Sequence, residues 1–250
     1  MQRKVIPDSE HKLVILYILS HFGPLTETQL YIFLIDMHLM KYIDLKINQY
    51  QMEERGEIRF LDHPLGQLME ITPEGQYALD TFMHHIPASK RALIDRETST
   101  WRSRFRAEQD TPVTFISRQG AYVWYRMRIM EQRATLLDMN IRLEAAHAMR
   151  FQDEEWGKQG SRIYAAITAD LGQGFLQTPL PDALPPTVDV RPVNASEWMV
   201  HLMDDASEPT LTMTLILPDE QLARHYAARW ESCREDLCPR IREEMMTHWQ

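Results

Sequence analysis

Between Asp8 and Pro87 the helix and strand signals follow one another in an order that leaves few folds open. Pro7-Asp8-Ser9 offers a helix start, because a side-chain oxygen at Asp8 or Ser9 can accept the unpaired amide protons of a first turn. Residues 13–19 are then apolar without a break, the pattern of a helix buried on most sides, and Gly23-Pro24 ends it. Thr26-Glu27-Thr28-Gln29 reads as a capping box, with a hydroxyl at the cap and Gln three residues on. Leu30, Phe33, Leu34 and Met37 mark the buried face of this second helix.

A connector near residues 38–40 leads into a third helix, expected from Lys41 to Arg55 and closed by Gly56. Its apolar residues form two adjoining stripes, Tyr42/Leu45/Met52 and Ile43/Ile47/Tyr50, both expected to turn inward. Lys41, Asp44, Asn48, Gln51 and Arg55 recur at spacings of three and four and share the remaining face. Ile58–Leu61 and Leu68–Ile71 bracket a Pro/Gly turn, which predicts a hairpin. Thr72-Pro73 opens a fourth helix, Thr as cap and Pro at the first helical position, with Leu79, Phe82, Met83 and Ile86 as candidates for its buried side.

Three helices, a hairpin and a helix in this order predict a winged helix-turn-helix, whose third helix enters a major groove. The candidate DNA-binding set is Lys41, Asp44, Lys46, Asn48, Gln51, Arg55 and Arg59. Asn48 and Gln51 have the amide chemistry that reads adenine edges, and Lys41, Lys46, Arg55 and Arg59 can neutralise phosphates. Against this, the carboxylates of Asp44, Glu53 and Glu54 repel phosphate, and the turn at 62–67 carries no Lys or Arg. Two functions stay open: a DNA-binding transcriptional regulator, expected as a homodimer on duplex DNA, or a protein-protein interaction module built on the same scaffold.

Charge bears on that choice. The formal net charge is −9, against sequence-blind nucleic-acid binding, where a basic footprint dominates. Residues 1–95 hold 9 Lys and Arg against 13 Asp and Glu; residues 96–150 hold 10 against 6; residues 151–250 hold 8 against 17. No apolar run reaches the roughly 18 residues of a membrane span, and the first residues lack a signal-peptide core, so the expected location is cytoplasmic with no membrane partner.

The residues His11 to Leu19, Ile71-Thr72-Pro73-Glu74-Gly75, Phe82 to Pro87 with Ile94-Asp95, and Trp156 with Ile163-Tyr164 resemble a family of bacterial winged-helix proteins designated a domain of unknown function. The resemblance covers about Ser9 to Leu171, and its N-terminal part also resembles, more loosely, PadR-like transcriptional regulators. It implies a winged-helix domain followed by strands and one helix, a role in transcription, and no enzyme activity.

Beyond Asp95 the pattern turns to period two, half-buried antiparallel strands. Arg102, Arg104 and Arg106 alternate with Trp101, Ser103 and Phe105, and further strands are expected at 113–117, 122–130 and 135–143. Arg126 and Arg128 are expected to share a sheet face with the first three arginines. A helix from about Ala145 to Leu171 follows, then a Pro-rich linker at 178–186, strands at 188–193, 197–203 and 211–217, and a long helix from Asp219. Shifted by 74 residues, Leu137, Met139, Ile141, Leu143 and Trp156 fall on Leu211, Met213, Leu215, Leu217 and Trp230. The expected fold is therefore α+β: a winged helix at 1–95, strands plus helix at 96–172, a linker at 173–187, and a second strands-plus-helix unit at 188–250, the last a duplicate of the middle unit about a pseudo-twofold axis.

No catalytic constellation is found and no enzyme activity is expected. Gly172-Gln173-Gly174 lacks the Lys of a phosphate loop, and Cys233 and Cys238 have no partners at metal-ligand spacing, so neither cofactor nor metal is expected.

Overall fold

The structure, a computed structural model, describes residues 7–145, 153–175 and 183–247, and the chain divides into two units, Met1–Ala107 and Glu108–Gln250. In the first, α1 (Pro7–Phe22) is the central post, with every residue from Leu13 to Leu19 buried. Gly23 closes it in the left-handed conformation, its amide donating to the Leu19 carbonyl at 3.0 Å. α2 (Glu27–Asp36) starts at the expected capping box: Gln29 N–H donates to Thr26 Oγ1 and Thr26 N–H to Gln29 Oε1, both at 3.1 Å. α3 (Tyr42–Glu54) is flanked by Lys41 and Arg55 at its two caps.

β2 (Ile58–Leu61) and β3 (Leu68–Ile71) form the expected hairpin, and β1 (Leu25–Thr26), too short to leave a periodic signal, adds to β3 to give a sheet of order β1-β3-β2. α4 (Pro73–Phe82) is capped by Thr72, whose Oγ1 accepts from Gly75 N–H at 3.1 Å and donates to the Gly56 carbonyl at 2.6 Å. A Cβ on Gly75 would lie 2.1 Å from the Glu57 carbonyl oxygen, so only glycine lets α4 approach the strand this closely. A short 3-10 turn, Met83–His85, leads to α5 (Ala88–Asp110).

α5 overturns one expectation. Residues 101–106 are helical, not a strand, so Arg102, Arg104 and Arg106 share no sheet face with Arg126 and Arg128. The alternation there is only six residues long, whereas Ile94, Trp101 and Phe105 also obey helical spacing. Packing decides between the two: Trp101 lies edge-on to Phe33 at 5.5 Å, Phe105 lies 6.3 Å from Phe22, and the Phe105 carbonyl accepts from Gln29 Nε2 at 3.2 Å.

The second unit is one six-stranded antiparallel sheet backed by two helices. Its elements are β4 (Val113–Gln119), β5 (Tyr122–Glu131), β6 (Ala134–Glu144), α6 (Asp153–Gly172), β7 (Val188–Pro192), β8 (Trp198–Met203), β9 (Leu211–Leu217) and α7 (Glu220–Thr247). α6 runs unbroken through Gly157 and Gly160; the start of the helix expected from Ala145 and part of the Pro-rich stretch lie outside the described residues. The strand order is β4-β5-β6-β9-β8-β7, a palindrome of two three-strand groups joined at β6 and β9. One face buries Met127, Leu137, Met139, Ile141, Val200, Met213 and Leu215 with Trp156 and Trp230 from the helices. On the other face Arg126 and Arg128 flank Asp138, at 2.8 and 3.0 Å, so these two arginines settle their charge within the sheet.

Candidate functional site

The third helix carries the residues expected to act, and its orientation is set by which stripe the core accepts. Leu45, Asn48, Gln49 and Met52 are the buried positions, one continuous face at helical spacing. Of the two apolar stripes only the Leu45 and Met52 side reaches the core. Ile43 and Tyr50 are each 63% exposed and Ile47 48%, so the second stripe points out, with Tyr42 beside it.

This reverses the expected role of Asn48. Its side chain is only 1% exposed, Nδ2 donates to the Asp44 carbonyl one turn back at 2.6 Å, and no base edge can reach it. Burying an amide here rather than an apolar side chain is what misled the pattern: with Asn48 and Gln49 inside, Ile43, Ile47 and Tyr50 are left outside. The signal was present in the sequence, since two adjoining apolar stripes plus a polar one exceed what one helix can bury against a single core.

The remaining expected residues separate. Gln51 and Asp44 are half-buried; Lys41 and Arg55 are exposed at opposite ends of α3. Lys46 is exposed, but its Nζ lies 2.6 Å from Glu27 Oε2, and Tyr42 hydroxyl donates to Glu27 Oε1 at 3.0 Å. Burial pushes the Glu27 carboxyl up, yet the Lys46 and Tyr42 hydrogen bonds outweigh it and hold it below its usual value. The same Glu27 bond raises the Lys46 ammonium, so this cation stays charged and tethered. Arg59 pairs across the hairpin with Glu70, at 2.8 Å from Nε. Among the described residues Lys41 and Arg55 are thus the two expected phosphate partners that no ion pair engages.

Tyr50 completes the face. The Glu54 carboxylate one turn on raises the pKa of the Tyr50 hydroxyl. Beside the N-terminal end of α3 an open hollow of about 540 Å³ is lined by His11, Tyr31, Ile35, His38, Lys41 and Tyr42, among others. In the second unit a hollow of about 400 Å³ lies between α6 and α7 at Arg162, Ile163, Leu237 and Arg240. Among the described residues no cluster of three or more His, Cys, Asp or Glu could hold a metal ion, and no helix is long and apolar enough to cross a membrane.

The family described as Domain of unknown function (DUF4364) matches residues 11–171. No curated protein matches the chain. One solved structure, described as that of a hypothetical protein, is 10% identical over 97% of this chain and 99% of that one, with a TM-score of 0.24, a likeness that carries no argument.

Proposed function

The chain belongs to the DUF4364 family, whose extent on it is residues 11–171, and we propose that it is a cytoplasmic regulatory protein whose first unit is a winged helix-turn-helix used to recognise protein. The order α1-β1-α2-α3-β2-β3 supports the winged-helix reading, with α2 and α3 as the helix-turn-helix and the 62–67 turn as the wing tip. The observation that carries the protein-recognition reading is the outward stripe of Ile43, Ile47 and Tyr50 on α3, with Asn48 buried behind it. In a major groove Ile43 and Ile47 would find only thymine methyls to touch, and they would be desolvated without reading any other edge. Against a protein surface the same aromatic and aliphatic groups are the usual core of an interface.

A second reading, a DNA-binding transcriptional regulator, is favoured by the exposure of Lys41 and Arg55 at the two ends of α3. Duplex selection separates the two. The full chain is incubated with a pool of genomic fragments at low salt, alongside the Lys41→Ala/Arg55→Ala double variant. Protein recognition predicts no enriched fragment. Enrichment whose affinity falls steeply with salt, and which the double variant loses, would establish the DNA reading instead.

We read the second unit as a duplicated strand-strand-strand-helix element. Palindromic strand order and matched tryptophans support this, and the family match ends at residue 171, within α6 of the first copy.

A further inference from the structure

We infer that the outward face of α3 binds the same face of a second copy of this chain, the two helices antiparallel about a twofold axis. The inference rests on the reading of α3 as protein-facing and names the partner.

The apolar stripe runs Ile43, Ile47, Tyr50, spaced four and three, along the middle of the exposed face. At 3.6 residues per turn, Lys46 and Glu53 lie along one side of it, and Asp44 and Arg55 along the other. One side therefore reads base then acid toward the C-terminus, and the other reads acid then base. In a twofold contact residue i meets j and j meets i, and antiparallel helices set each side against its own reversed image. Lys46 then faces Glu53 of the second copy, and Asp44 faces Arg55, each pair occurring twice. No like charges are brought together at these positions. A surface that complements itself on both sides of an apolar strip calls for no other partner.

One local feature fits this contact. Lys46 has three ammonium protons, so its bond to Glu27 leaves donors for a second carboxylate. In the second unit the inner edge of β6 is paired with β9 of the same chain, so that edge cannot join two copies.

A single helix face is a small interface, below about 1,200 Å², which places the contact among weak, exchanging associations. Sedimentation equilibrium of the full chain, from about 1 µM to about 500 µM, is therefore the measurement. Wild type is expected to dimerise reversibly within that range. Ile47→Glu should weaken dimerisation by about tenfold or more, and Lys46→Glu and Glu53→Lys alone by about threefold each. All three sites are exposed, and circular dichroism verifies that each variant is folded. The decisive result is an equimolar mixture of the Lys46→Glu and Glu53→Lys chains. The mixed dimer restores opposite charge at both contacts, so its affinity should return to within about twofold of wild type. Monomer throughout, a dimer indifferent to Ile47→Glu, or a mixture no tighter than its components would each overturn the inference. A monomer that enriches no duplex fragment removes only the second copy as partner, whereas duplex enrichment removes the protein-facing reading itself.

Discussion

Met139 of β6 stands directly across the ladder from Met213 of β9, 74 residues on, and both side chains are fully buried. Around them Leu137 pairs with Leu215 and Ile141 with Leu211. Adding 74 to each member of the first pair, or removing it, gives the second pair. The register is therefore symmetric about the two methionines, and the strand order β4-β5-β6-β9-β8-β7 is symmetric about the same β6-β9 ladder. A chain that pairs β6 with its own β9 closes the sheet edge that a lone three-strand group would leave bare.

The symmetry has an energetic counterpart in the tryptophans. Trp156 Nε1 donates to the Arg128 carbonyl at 3.2 Å and Trp230 Nε1 to the Met203 carbonyl at 2.9 Å, each indole fully buried and each acceptor on the middle strand of its group. Trp156→Phe and Trp230→Phe each remove that bond and part of the packed ring. Each should lower the unfolding free energy by about 2–4 kcal/mol in urea titrations, with the two values similar. A cost below about 0.5 kcal/mol at either position would mean that the indole is not part of the core it occupies.

Acid should loosen the second unit through Asp138. Burial pushes this carboxyl up, but hydrogen bonds from Arg126 and Arg128 outweigh it and hold it below its ordinary 3.8. A carboxyl whose folded value is depressed contributes stability that is complete above the unfolded value and lost as pH falls through the folded one. Thermal unfolding followed downward from pH 5 should therefore show a loss that begins near 3.8 and continues below it. Asp138→Asn should be less stable at neutral pH and should show a shallower acid slope; an unchanged slope would locate the titration elsewhere.

Much of this fold was legible because its signals are local. Thr26 and Gln29 formed the box their spacing predicts, Thr72 capped α4, and the two central strands of the sheet, β6 and β9, followed the alternation of Leu137, Met139, Ile141 and Leu211, Met213, Leu215. The failures have one cause, which is that periodicity names faces but not which face is inside. Trp101 and Phe105 satisfy both a short alternation and a helix, and only contact with Phe33 and Phe22 selects the helix. On α3 the core took Asn48 and Gln49 and rejected Ile43 and Ile47, a choice made by neighbouring elements that no window on α3 contains. The candidate surface was thus legible in its place on the chain and inverted in its orientation.

Asn48 offers the sharpest check on that inversion. Its Oδ1 is buried and has no hydrogen-bond partner among the described residues, while Nδ2 bonds only a carbonyl of its own helix. A buried acceptor left unpaired costs about 1–3 kcal/mol, and leucine has nearly the same branched shape without the polar atoms. Asn48→Leu loses the Nδ2 bond to Asp44, but that carbonyl stays in the helix ladder, so the exchange favours leucine. The variant should unfold at higher urea, by about 1 kcal/mol, and leave any association through α3 unchanged, because position 48 faces away from Ile43, Ile47 and Tyr50. If Asn48 instead turned outward to read a base edge, leucine would leave stability flat and abolish sequence-selective duplex binding. The two readouts move in opposite directions, so one variant decides which way the third helix faces.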